Sequence, residues 1–111
     1  MKRVAMPVAD SRISNRIDCS SNFLIASIEN GVINKRELVH LVDASLPAKL
    51  KMWNQYEVNV LICDGIPQFY LNQLTDSPFQ VIPWICGEVE DVLQQYVKGT
   101  LTNQDKTSVR E

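Results

Sequence analysis

Apolar and polar positions alternate in short blocks along the first half of the chain. Val4 to Val8 is a brief apolar run that stops at Asp10. It predicts a first strand, with the difficulty that Pro7 cannot donate to a ladder and normally sits at an edge or an end. Residues 11–22 (SRISNRIDCSSN) are polar and read as a long loop. Phe23 to Ile28 predicts a second strand, and Val32 to Val42 a third. Between them lies Glu29-Asn30-Gly31, whose Asn-Gly step is the strongest short-range hairpin signal.

The second half changes period. Asp43 or Ser45 can cap a helix with Pro47 in its first turn. Leu46, Leu50 and Trp53 then follow at i, i+4 and i+7, which gives one apolar face. Val58 to Cys63 (VNVLIC) is nearly continuous in apolar residues and suits a parallel strand covered on both faces. Asp64-Gly65 breaks it. Ile66, Tyr70 and Leu74 are spaced for a second helix with Pro67 near its start, ended by Asp76-Ser77-Pro78. Phe79 to Ile85 predicts a fifth strand bent at Pro83. Val89, Val92, Leu93, Tyr96 and Val97 form the clearest helical stripe, stopped at Lys98-Gly99. Residues 102–111 carry one apolar residue and read as a polar tail beyond a single domain of residues 1–101.

The resulting order is β-β-β-α-β-α-β-α. Strands joined through helices pair in parallel with right-handed crossovers. The simplest arrangement is an α/β fold with a five-stranded mixed sheet, order 3-2-1-4-5, and three helices.

Composition narrows the function classes. The 111 residues are 45% hydrophobic and 22% charged, which are globular values. Eleven Lys and Arg against thirteen Asp and Glu give a net charge of −2, with no basic stripe of the kind duplex nucleic acid requires. No apolar run approaches the ~20 residues of a membrane span. Pro7, Asp10 and Arg12 interrupt the N-terminal apolar segment, which argues against a signal peptide and for a cytoplasmic protein.

Three cysteines, Cys19, Cys63 and Cys86, form no CxxC pair. An odd count without a secretion signal argues against a disulfide framework. By spacing alone they read as scattered, buried, inert thiols. Topology adds a second reading. In an open α/β sheet, ligands bind outside the carboxyl ends of parallel strands, near the reversal of strand order. Cys63 ends the fourth strand, Cys86 follows the fifth, and Cys19 lies in the loop leaving the first. All three belong to one sheet edge. Neighbouring strands are ~4.8 Å apart, which would start Cys63 and Cys86 within reach of one ligand. Helices starting near Ile66 and Glu88 would offer free N–H groups there, and Arg12 and Arg16 could balance an anionic cargo. Asp64, Glu88, Glu90 and Asp91 bring opposing negative charge. Trp84 could wall a pocket or pack in the core. His40 lies away from this edge, and Trp53 faces with Leu46 and Leu50.

Several segments in order resemble one family: RVAMPVAD at the start, RIS at 12–14, FLIASIENG at 23–31, VNVLICDGI at 58–66 and VIPWICGEVEDVLQQYVKGTL at 81–101. From Arg3 to Leu101 the chain resembles the dinitrogenase iron–molybdenum cofactor biosynthesis family, which includes the NifX-type proteins and the C-terminal segment of NifB. The resemblance implies a ribonuclease H-like fold. It also implies binding of an iron–sulfur or molybdenum–iron–sulfur cluster, or its carriage between a donor and an acceptor protein, rather than catalysis. The resemblance favours Cys63 and Cys86 as ligands; Cys19, less expected at its position in the family, is the third candidate because it shares their sheet edge. Gly65 and Gly87, in the turns beside the two cysteines, and Arg16, by its charge in the same loop, complete the candidate site. Three thiolates on a four-iron cluster would leave one iron open, which would suit a carrier, and the protein could self-associate. One departure is clear. Many members carry Ser-x-His-Phe-Gly after the first strand, whereas this chain has Ser14-Asn15-Arg16-Ile17-Asp18, with Arg16 at the histidine position. The competing expectations are a metal-dependent phosphodiesterase using Asp10 and Asp64 at strand ends, and an interaction module without a ligand.

Overall fold

The computed structural model describes residues 1–101; the expected tail, 102–111, lies outside the described residues. The strands are β1 (Lys2–Ala9), β2 (Arg12–Ile13), β3 (Asn22–Glu29), β4 (Val32–His40), β5 (Val60–Ile62) and β6 (Gln80–Ile82). A 3-10 turn spans Ile17–Cys19, and the helices are α1 (Leu46–Gln55), α2 (Gln68–Leu74) and α3 (Val89–Lys98). The sheet runs β4-β3-β1-β5-β6. β1, β3 and β4 pair antiparallel, and β5 joins β1 and β6 in parallel. This is the expected path of five strands.

The expected count of five is corrected to six, because β2 folds back on β1 with Val8 opposite Ile13 and Ala9 opposite Arg12. The cause is a tight reversal at Asp10, which adopts φ 57. Aspartate tolerates this left-handed conformation better than most residues. The same reversal accommodates Pro7. β1 pairs with β5 only at Val4 and Ala5, so Pro7 lies beyond that ladder, opposite Phe23 of β3, and its carbonyl accepts from Ser14 N–H at 2.9 Å.

Local signals account for most boundaries. Asn30 and Gly31 take φ 55 and 76, the pair of positive values a two-residue hairpin turn needs. Ser45 caps α1, its hydroxyl accepting from Ala48 N–H at 3.4 Å. Gly99, at φ 76, stops α3. Each sheet face buries its own core. α1 and α2 cover Ala5, Phe23, Ile25 and Leu61 through Met52, Trp53, Tyr70 and Leu74. Val89, Val92 and Leu93 of α3 cover Val4, Met6, Ala26, Val60 and Ile62 on the other side. Trp53 meets Phe23 and Phe79 edge-on, with centroids 5.8 and 5.7 Å away. No helix among the described residues is long and apolar enough to cross a membrane.

Candidate functional site

The carboxyl ends of β1, β5 and β6 are stitched together by backbone. β2 pairs with β1 on one side and meets the start of α3 on the other, where Ile13 N–H donates to Gly87 O at 2.9 Å and Val89 N–H to Ser11 O at 2.8 Å. Beyond β2 the chain crosses the end of β5: Gly65 N–H donates to Asn15 O at 2.8 Å and Ile17 N–H to Gly65 O at 3.0 Å. A Cβ at Gly65 would lie 2.8 Å from Asn15 O and 3.0 Å from Arg16 Cδ. Only glycine allows that approach. Ser20 is buried and knots the loop, its Oγ lying 2.7 Å from Arg16 O and 2.8 Å from Ser14 Oγ.

The turn after β6 is shaped by two unusual backbones. Trp84 has φ 66 and Gly87 φ 120. A left-handed tryptophan is strained, by roughly 1–3 kcal/mol. It is held by Trp84 N–H donating to Asp64 O at 3.1 Å and Ile85 N–H to Cys63 O at 2.9 Å. Between these two residues Ile85 is buried as an anchor and Cys86 is turned out to solvent.

The edge does not gather the three thiols. Cys19 and Cys86 are exposed, whereas Cys63 is 0% exposed. The backbone of Cys63 continues the ladder past β5, donating to Ile82 O at 3.1 Å. Its side chain therefore keeps the alternation of the strand and joins Leu61 in the core under α1 and α2. Burial, reinforced by the Asp64 carboxylate, pushes the Cys63 thiol up from 9.0 to about 12. In this conformation it is a protonated core side chain. Among the described residues, no three Cys, His, Asp or Glu side chains are placed to share a metal ion.

The expected charge balance also differs. Arg16 holds Asp18 through two bonds of 3.0 Å, and Arg12 reaches Glu88 at 3.3 Å. Both cations are engaged by carboxylates, and the Val89 N–H at the head of α3 is already taken by Ser11. Arg16 stands between two hollows. One of about 430 Å³ is lined by Asp10, Arg12, Ser14, Asn15, Arg16 and Cys19. The other, of about 340 Å³, is lined by Arg16, Gly65, Ile66, Pro67 and Trp84. Both fall in the size range of ligand clefts.

One residue at this edge escaped the sequence reading. Lys49 of α1 is fully buried, its Nζ donating to Asp18 O at 3.2 Å and to Tyr70 Oη at 2.9 Å. The signal was present: Lys49 fills the i+3 slot of the stripe formed by Leu46, Leu50 and Trp53.

Together these features define a small mixed α/β protein whose sheet edge carries two exposed thiols, one of them, Cys19, bordering an open cleft. Its family follows from comparison. A profile described as dinitrogenase iron-molybdenum cofactor matches residues 1–99, and the chain belongs to that family. Among curated proteins, none matches it. Solved structures share the fold. The protein PH0822 superposes with TM-score 0.86 at 18% identity, over 97% of this chain and 99% of its own. A Methanocaldococcus jannaschii protein provisionally described as a dinitrogenase gives TM-score 0.74 at 18% identity, over 90% and 91%. A Thermotoga protein provisionally described as NifB gives TM-score 0.71 at 22% identity, over 93% of each chain.

Proposed function

We propose that this protein binds a metal–sulfur cluster of iron–sulfur or molybdenum–iron–sulfur type at the carboxyl edge of its sheet and carries it between a donor and an acceptor protein, without transforming it. One observation bears most of the weight. Cys19 and Cys86 are the two exposed thiols, and both stand at the edge where this topology places ligands. Soft thiolates are the ligands such a cluster takes. Family membership supports the same cargo, and the ribonuclease H-like assignment that the resemblance implies belongs to the same reading.

Roles divide by placement. Cys19 borders the cleft of about 430 Å³, and Cys86 is held out by the turn that Gly87 permits. Gly65 lets the Cys19 loop close over β5, and Arg16 parts the two hollows. Cys63 joins the ligand set only if the Asn15–Gly65–Ile17 contacts open. The exposed pair is therefore ranked first.

Anaerobic reconstitution with iron and sulfide tests this, read by charge-transfer absorption and metal analysis. Wild type should colour. Cys19→Ser and Cys86→Ser should each lose at least half the bound iron, and Cys63→Ser should keep it. A colourless, metal-free wild type offered both iron–sulfur and preassembled molybdenum–iron clusters would remove the proposal.

A further inference from the structure

We propose that Lys49 is a positioning residue for Cys19, clamping the turn that carries this thiol onto both helices of the neighbouring layer. The role given to Cys19 rests on the cluster-binding reading above; the clamp rests on geometry.

A single ammonium joins three elements. Lys49 projects inward from α1, donates to the Asp18 carbonyl in the Ile17–Cys19 turn at 3.2 Å, and donates to Tyr70 Oη of α2 at 2.9 Å. It also lies 5.3 Å from the centroid of the Tyr70 ring, within cation–π range. Asp18 is the residue immediately before Cys19, so the fixed carbonyl belongs to the peptide unit that leads into the thiol-bearing residue.

A buried cation is a poor way to gain stability. Desolvating an ammonium costs several kcal/mol, and a well-packed apolar residue of similar volume is often as good or better. Leu46, Leu50 and Trp53 on the same face show what packing alone would select. An apolar side chain at position 49 could fill the space, but it could not direct a donor at a carbonyl. Burial lowers the Lys49 pKa, and the neighbouring Asp18 and Cys19 offset this only in part. The same two groups, together with burial, raise the pKa of Tyr70. Lys49 thus ties Tyr70 of α2 to the Asp18 carbonyl, one residue before the exposed thiol. The turn is otherwise held by Ile17 N–H donating to Gly65 O at 3.0 Å, by Ser20 N–H donating to Ile17 O at 3.3 Å, and by the Arg16 guanidinium on the Asp18 carboxylate at 3.0 Å.

The test uses the full chain with Lys49→Met, Tyr70→Phe and Cys19→Ser. Amide hydrogen exchange at residues 17–20 should accelerate about tenfold in Lys49→Met, the factor expected for one net hydrogen bond lost from local opening. Exchange in Phe23–Ile28 of β3, when measured below the global opening limit, should not change. Tyr70→Phe keeps the lysine and the core volume, and should give a smaller acceleration at the same amides. It decides the question if Lys49→Met does not fold. Cobalt(II) is the second probe, read by its thiolate charge-transfer band. Lys49→Met should lose the same share of the band as Cys19→Ser, and the double variant should lose no more than either. Unchanged exchange at residues 17–20 in both Lys49→Met and Tyr70→Phe overturns the clamp. Additive losses in the double variant overturn the assignment to Cys19. A wild type without any cobalt–thiolate band counts against the cluster-binding reading, and the exchange result then decides the clamp by itself.

Discussion

At position 63 the surroundings of the thiol set its chemistry. Cys63 lies in one apolar cluster with Ile17, Leu61 and Ile66, and its pKa is pushed up to about 12 by burial and the Asp64 charge. The native state therefore keeps a proton that the unfolded chain releases above about pH 9. Stability is unaffected by this group below pH 9. Above it, the unfolded state binds fewer protons, and stability falls by up to about 1.4 kcal/mol per pH unit until the folded pKa is reached. Cys63→Ala abolishes that slope and costs about 1 kcal/mol near pH 7 through the small cavity it leaves. Urea unfolding of the two proteins from pH 7 to 10.5 should show curves that converge and cross near pH 10. Curves that stay parallel would mean that the thiol ionises as freely when folded as when unfolded. Native-state alkylation gives an independent check: Cys19 and Cys86 should react, and Cys63 should react only after unfolding.

Gly65 matters at the scale of elements, because it is where the Asn15–Ile17 segment touches the end of β5. An alanine Cβ there would sit 2.8 Å from Asn15 O, a backbone atom that cannot swing away. Gly65 has no positive φ, so the effect is steric rather than conformational. Gly65→Ala should cost roughly 1–3 kcal/mol, the range for forcing atoms into a packed site. It should also release the bonds from the residue 65 N–H to Asn15 O and from Ile17 N–H to the residue 65 carbonyl, seen as faster exchange at the amides of positions 65 and 17; a melting point within 1 °C of wild type, with unchanged exchange, would defeat this account. The sequence made Gly65 visible as a break but could not show its neighbour, because the approach depends on a loop far away in the chain. Elements with a sustained period were legible: the strands from Phe23 and Val32 around Asn30-Gly31, and the stripe of α3 closed by Gly99. β2 was not. Two residues make no period, and only the reversal at Asp10 defines it. Nor does any rule of residue type place a tryptophan at φ 66. Cys63 was legible in part. Val60 and Ile62 alternate with Leu61 and Cys63, so the thiol shares Leu61's face, but an unbroken apolar run conceals which face is which. The three cysteines share an edge as the topology requires, yet adjacency of backbones did not bring their side chains together.

On the scale of the molecule, each sheet face closes on its own cluster of packed apolar side chains, with Lys49 buried beside one of them. That separates this protein from small metal-folded domains, in which binding free energy is folding free energy and chelation unfolds the chain. Cargo here should act only through linkage. It adds RT ln(1 + [L]/Kd), about 2.7 kcal/mol when free cargo is a hundredfold above Kd, and each kcal/mol raises the melting midpoint by roughly 4–8 °C for a domain near this size. The cluster-free protein should therefore melt in one cooperative transition. Its midpoint should climb with added cargo and return to the same value when the cluster is stripped, without loss of secondary structure at 25 °C. Circular dichroism melts of cluster-free, loaded and stripped protein decide the matter. A cluster-free chain with no cooperative transition would make the cargo structural. It could then not be handed on without unfolding its holder, and carriage would fail as the function. A reversible midpoint is what the proposed carriage requires, because a fold that is to hand on its load through Cys19 and Cys86 must outlast that load.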